Sequence, residues 1–97
     1  MPTYESLAHF LRDWKNLTPA QKAAFLVAVS RFVADLRSGK GFRRGLRARR
    51  MQGHPDVREL TWAPNGRATF SYGTSLQEGE PHIVWRRIGT HEIFGRP

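Results

Sequence analysis

Apolar residues recur every three to four positions as far as Gly39 and every second position from Val57 onward. No single kind of regular element serves both patterns, because a helix aligns residues i, i+3 and i+4 on one face whereas a strand aligns alternate residues. The chain is therefore expected to fold as helices first and strands after. The helical part has its own punctuation. Thr18-Pro19-Ala20-Gln21 offers a capping hydroxyl, a proline suited to the first helical position and a glutamine able to close a capping box. Phe25, Val29, Phe32, Val33 and Leu36 then form one stripe, and Gly39 supplies a stop, which predicts a helix over residues 19–37. Leu7, Phe10, Leu11 and Trp14 share a face of a preceding helix, and the short joint Asn16-Leu17-Thr18 turns the two into an antiparallel hairpin. Thr3 to Leu7 reads as a short edge strand.

In the second half, Leu60 and Trp62 alternate within Val57–Ala63, and Ala68, Phe70 and Tyr72 alternate within Arg67–Tyr72. Ala63-Pro64-Asn65-Gly66 between them is a turn sequence, so the two strands form a hairpin. Gly73 to Pro81 is a looser return into His82–Ile88, a strand bulky on both faces and therefore central. Leu46–Gln52 is compatible with either a further strand or a basic loop. The expected class is α+β, with a helical hairpin packed on one face of a small antiparallel β-sheet and a basic groove on the open face. Ninety-seven residues accommodate one hydrophobic core, so a single domain over residues 1–97 is expected.

Sixteen basic residues face eight acidic ones, and thirteen of the sixteen are arginine. Part of that arginine excess is what a G- and C-rich genome produces. The placement is a separate fact: residues 38–55 carry six of the cations and no acid, whereas residues 56–97 are balanced. A polyanionic partner follows, because guanidinium forks grip phosphate bidentately. With no cysteine the chain has neither a disulfide framework nor a thiolate site, which favours the cytoplasm. It also lacks an apolar run long enough to span a membrane, and its first residues do not resemble an export signal. No histidine pair has metal-ligand spacing, so a metal-free and cofactor-free site is expected. Phosphate loops of the Walker or dinucleotide type are absent, as is the nucleophile elbow of serine hydrolases.

Three groups of residues could carry chemistry. Lys40, Arg43, Arg44, Arg47, Arg49 and Arg50, spaced by Gly39, Gly41 and Gly45, form a basic segment suited to phosphate-backbone contact. Arg58, Arg67, Arg86 and Arg87 fall on the strands, where they either stabilise charge on phosphorus or pair with Asp56, Glu59 and Glu92. His54 and His91 stand in loop-like contexts beside arginines and suit proton transfer near neutral pH, whereas His9 and His82 read as structural.

The order of parts, together with Val57-Arg58-Glu59-Leu60, Asn65-Gly66-Arg67 and the terminal Arg87-Ile88-Gly89-Thr90-His91-Glu92-Ile93-Phe94, resembles the RelE/ParE toxins of bacterial type II toxin–antitoxin modules. The Gly-Thr-His ending is most similar to the YafQ-like branch of messenger-RNA interferases. That resemblance implies a ribosome-dependent, metal-independent endoribonuclease, in which the RNA 2′-hydroxyl attacks the adjacent phosphate. It carries Arg67 onto the phosphate-gripping position and His91 onto the catalytic one. Arg58 falls on a basic strand position, and Phe94 falls on the closing aromatic, one residue nearer the histidine than usual. Thr61 stands near a position that is histidine in the YafQ-like branch, which leaves His54 as the substitute base. Arg43, Arg44, Arg47, Arg49, Arg50, Arg86 and Arg87 become the RNA-binding set. The implied partners are a cognate antitoxin, the ribosome and messenger RNA. The alternative readings are a ParE-like poison of DNA gyrase, acting by binding alone, and a non-catalytic nucleic-acid-binding module.

Overall fold

A computed structural model describes residues 2–97, the side chain of His91 excepted. Strand β1 (Thr3–Ser6) leads into helices α1 (Ala8–Lys15) and α2 (Pro19–Ser38), followed by a 3-10 turn at Arg44–Leu46. Strands β2 (Arg49–Met51), β3 (His54–Ala63), β4 (Gly66–Gly73) and β5 (His82–Gly89) complete the sheet, and a 3-10 segment covers His91–Gly95. The strand order is β1-β5-β4-β3-β2. All neighbours are antiparallel except β1, which pairs parallel to β5 through Thr3↔His82 to Ser6↔Trp85. The expectation of an antiparallel sheet thus fails at that edge. Tight connections impose antiparallel pairing on β2 to β5, but β1 reaches β5 only after the whole helical excursion and is under no such constraint.

Helix α2 begins as its sequence dictates. The Thr18 hydroxyl accepts from the Gln21 amide, the Gln21 side chain accepts from the Thr18 amide, and Gly39 closes the helix at φ 68°. Its buried stripe is Phe25, Ala28 and Phe32, with Val29, Val33 and Leu36 only half-buried, so the face turned to the sheet is centred nearer Ala28 than the largest side chains suggested. The reason is proximity: the aromatic rings of the strands fill the space, and a small residue lets α2 approach. Phe32 lies 4.9 Å from the Phe70 ring and 5.5 Å from Trp85, and Phe25 meets Trp85 edge-on at 5.4 Å. Helix α1 adds Phe10, 5.9 Å from Phe25 and 6.0 Å from Trp85.

Pro64 fixes a negative φ, and among the described residues Arg47 is the one non-glycine residue with positive φ. The two-residue β3–β4 loop therefore has ordinary rather than mirror-image turn geometry, which splays a hairpin, and the ladder shifts between Thr61 and Ala63 to accommodate it. Gly66 makes this turn possible in another way, since a Cβ there would sit 2.5 Å from the Trp62 indole. The undecided stretch Leu46–Gln52 divides into the end of the 3-10 turn and the short edge strand β2. Far from trailing loosely, the basic segment is pinned to the core: Leu46 is buried, and Phe42 stacks on Phe32 at 5.0 Å. His82, expected to be structural, is buried and joins β1 to β5, with Nδ1 2.7 Å from the Thr3 hydroxyl and Nε2 3.0 Å from Glu5 Oε1.

Candidate nucleic-acid interface

The register of the sheet aligns the residues that end β3, begin β4 and end β5. Thr61 pairs with Arg67, and Arg67 pairs with Gly89, two residues before His91. The arginine at the head of β4 and the Gly89-Thr90-His91 segment are therefore neighbours in the fold, although 24 residues separate Arg67 from His91 in the chain. The His91 side chain lies outside the described residues, and its backbone opens the C-terminal 3-10 segment. Phe94 is half-buried on that same segment.

The candidate residues do not gather in one groove on the open face. Six of them divide between two cavities that share no lining residue. The first, about 600 Å³, lies at the β3–β4 turn end, where Arg67 meets Arg43, Arg47, Arg31, Thr61 and Trp62 beside the apolar Val27, Ala28 and Leu46. Arg67 is 9% exposed, and its Nη1 donates to the main-chain oxygens of Ala63 (3.2 Å), Pro64 (3.3 Å) and Gly66 (2.9 Å). Three carbonyls thus fix the guanidinium of an otherwise buried cation in place. The second cavity, about 450 Å³, brings His54 and Val57 from β3 together with His9, Arg86, Arg87, Arg96 and Pro97. Seven residues of extended strand separate His54 from Thr61, about 23 Å at roughly 3.3 Å per residue.

The arginines of the second cavity are heavily engaged. Arg87 donates through Nε (2.6 Å) and Nη2 (3.1 Å) to the two carboxylate oxygens of Asp13 on α1, and through Nη1 to the main-chain oxygen of Arg96. Asp13 also accepts from the Ile88 amide, so one carboxylate ties α1 to β5. The hydrogen bond to Asp13 raises the Arg87 pKa further above its ordinary value, against the opposing effect of burial. Arg86 Nε donates to the Pro97 main-chain oxygen at 3.0 Å. On the first cavity, Arg43 forms a fork with Asp35 at 2.9 Å through Nε and Nη2, and its amide donates to the same carboxylate. These bonds hold the Asp35 carboxyl below the usual aspartate range.

The remaining candidates lie apart from both cavities. Arg58 lies over the Tyr72 ring at 5.1 Å, and Arg49 pairs with Glu59 at 2.7 Å. Arg44 and Arg50 are exposed. Arg31, Arg96, Asp13 and Asp35 carry much of the site's geometry and were not singled out by the sequence. Arg31 looked like one more solvated helix cation, and the sequence carried no signal for its place at the cavity.

No protein-family model and no curated protein matches the sequence significantly. Solved structures do resemble it. Toxin and antitoxin of Methanococcus jannaschii form a RelB–RelE complex, one chain of which superposes with a TM-score of 0.61 at 10% identity over 93% of each chain. YafQ from E. coli strain BL21(DE3) gives 0.59 at 14% identity, covering 97% of this chain and 98% of that one. A conserved hypothetical protein of Helicobacter pylori gives 0.56 at 19% identity over 97% and 99%. The fold is thus that of RelE- and YafQ-type toxins: two helices packed on a five-stranded, mostly antiparallel open sheet.

Proposed function

We propose that this chain is a metal-independent endoribonuclease of the RelE/YafQ kind, the toxin of a toxin–antitoxin module that cleaves messenger RNA on the ribosome. One observation carries the reading: the sheet register sets Arg67 beside Gly89, at the root of the Gly-Thr-His segment. In this mechanism the 2′-hydroxyl oxygen bonds to the adjacent phosphorus while the bond to the 5′-oxygen breaks, leaving a cyclic phosphate and a free 5′-hydroxyl. The step needs one group to take the 2′-hydroxyl proton, another to give a proton to the departing oxygen, and fixed cations for the charge gathering on phosphorus. His91 takes one of these proton-transfer roles at the phosphate held by Arg67. His54, in the other cavity and about 23 Å along β3 from the residue paired with Arg67, is too distant to take the other at the same phosphorus, and it contacts RNA beside Arg86 and Arg87 instead. The turn carbonyls hold Arg67 through Nη1 and leave Nε and Nη2 to receive a phosphate. Arg43, Arg44, Arg47, Arg49, Arg50 and Arg86 extend phosphate contact along the strand, and an acidic antitoxin segment is the complementary protein partner.

The test is brief induction of the wild-type chain, His91→Ala and Arg67→Ala in growing bacteria, with mapping of new messenger-RNA ends. Codon-phased ends are expected from the wild type and should fall by about 100-fold or more in His91→Ala, the scale of a lost general acid or base. Arrested growth with intact messenger RNA and broken DNA would replace this reading with gyrase poisoning.

A further inference from the structure

The lining of the turn-end cavity is rich in donors and poor in acceptors. Arg31, Arg43, Arg47 and Arg67 all reach it, and no acidic side chain lines it. Arg31 and Arg47 make no ion pair among the described residues, although the Asp35 fork engages Arg43. Arg67 is nine-tenths buried and hydrogen-bonds only through Nη1, leaving Nε and Nη2 without a partner among those residues. Trp62, equally buried, also lines the cavity, and its indole N–H has no acceptor. Buried donors are normally satisfied, so the unpartnered Trp62 N–H, among exposed cations around an open volume, marks a place suited to an acceptor.

The cations arrive from separate elements: α2 gives Arg31, the residues flanking the 3-10 turn give Arg43 and Arg47, and β4 gives Arg67. They are also held there. Arg47 is kept at φ 47°, a costly conformation for a side-chain-bearing residue, by the hydrogen bond its backbone N–H donates to the Arg44 oxygen, while Leu46 beside it anchors in the core. A carboxylate offers two oxygens to one fork, whereas a terminal phosphate offers three, enough to be shared among guanidinia approaching from different sides. Beside the cations the lining includes the apolar Val27, Ala28, Leu46 and Trp62, and about 600 Å³ is the scale of a pocket that takes more than an inorganic ion.

We propose that this cavity is a nucleotide-binding subsite, in which Arg31, Arg43 and Arg47 hold a phosphate and the base lies against the apolar lining beside Trp62. Its place in catalysis rests on the reading above, as the seat of a nucleotide flanking the scissile phosphate near Arg67. Binding itself is read without cleavage, so the two ideas fail separately.

The test follows the Trp62 indole resonance of the ¹⁵N-labelled full chain, assigned by triple-resonance spectroscopy, during titration with adenosine 5′-monophosphate, adenosine, inorganic phosphate and an oligoglutamate peptide. The expected result is a saturable shift of Trp62, with Trp14 unmoved, that is strongest for the nucleotide and at least about tenfold weaker for adenosine. Arg31→Gln with Arg47→Gln should weaken nucleotide binding by at least about tenfold. Arg12→Gln with Arg37→Gln, an equal change of charge at exposed positions outside the cavity lining, should leave it unchanged. Equal weakening by the two pairs would reduce the effect to diffuse charge and overturn the proposal. So would binding of the peptide in preference to the nucleotide, or an unmoved Trp62 in the wild type. Should the double variant fold poorly by circular dichroism, the comparison of nucleotide with nucleoside in the wild-type chain decides the matter.

Discussion

Arg87 commits its guanidinium to Asp13 and to the main-chain oxygen of Arg96, and Arg86 donates to Pro97, whereas Arg31 and Arg47 have no ion-pair partner among the described residues. In sequence these arginines carry the same charge, yet Arg86 and Arg87 at the tail-side cavity are structural, whereas at the turn end Arg31 and Arg47 are available beside the engaged Arg43 and Arg67. A count of charges therefore measures the field that draws a polyanion in, but not the places where it can be gripped. The tail-side arginines hold the C-terminal segment and α1 against β5, and a phosphate arriving there must displace oxygens already bound. At the turn end it meets Arg31 and Arg47, which have no ion pair to break among the described residues.

Both clusters hang on one aromatic core, so the most severe way to break the contrast is to remove its centre. Phe32 is fully buried against Phe70, Trp85 and Phe42. Phe32→Ala should cost about 3–5 kcal/mol, a large share of a small domain's stability, as read from urea denaturation. Because Phe42 stacks on Phe32, the loss should loosen the basic segment more than the tail-side cluster. In hydrogen exchange, the amides of Leu46 and Arg47 should lose protection before that of Ile88. The opposite order would place the weaker anchorage on β5.

The core was legible in the sequence because periodicity reports burial directly: Phe25, Phe32, Leu60, Trp62 and Phe70 lie where the pattern put them, and the capping box and Gly39 mark the ends of α2. The direction of β1 was not legible, since pairing across a long excursion leaves no local signal. The same holds for the site. Arg67 and the Gly-Thr-His ending stand out by motif, and the register brings them together, but their division from His54 depends on the length of β3 and on which side chains line each cavity. Asp13 and Asp35 illustrate the difficulty best. Each is an ordinary helix acid in the sequence, and each decides the state of an arginine 8 or 74 residues away.

Those two carboxylates sharpen the contrast at intermediate cost. Asp13 is mostly shielded and accepts from Arg87 twice and from the Ile88 amide once, so Asp13→Asn should destabilise the fold by about 1–3 kcal/mol. It should also release Arg87 to contact RNA. Asp35→Asn removes a pair at the solvent-exposed Arg43 and should shift the melting temperature far less. Its consequence belongs to the cavity instead: Arg43 loses its tether, and nucleotide binding at the turn end changes while the fold does not. Equal losses of stability in the two variants would mean that both clusters are anchored alike.

The smallest effect is the most diagnostic of that tether. Asp35 is held below its ordinary value of 3.8, chiefly by the hydrogen bond from the Arg43 side chain and next by the bond from the Arg43 amide. An aspartate lowered in the folded state contributes stability that is complete above the unfolded value and is lost as pH falls through the folded one, because within that window the unfolded chain binds more protons. At neutral pH the fork is therefore intact, and it opens only under acid conditions, below about pH 4. A ¹³C titration of the Asp35 carboxyl should give a midpoint under 3.8 in the wild type. Arg43→Gln should raise it toward that value without fully restoring it, since the amide of residue 43 still donates. A midpoint unmoved by Arg43→Gln would show that the fork does not persist in solution, and the turn-end cavity would then be lined by a mobile cation rather than a fixed one.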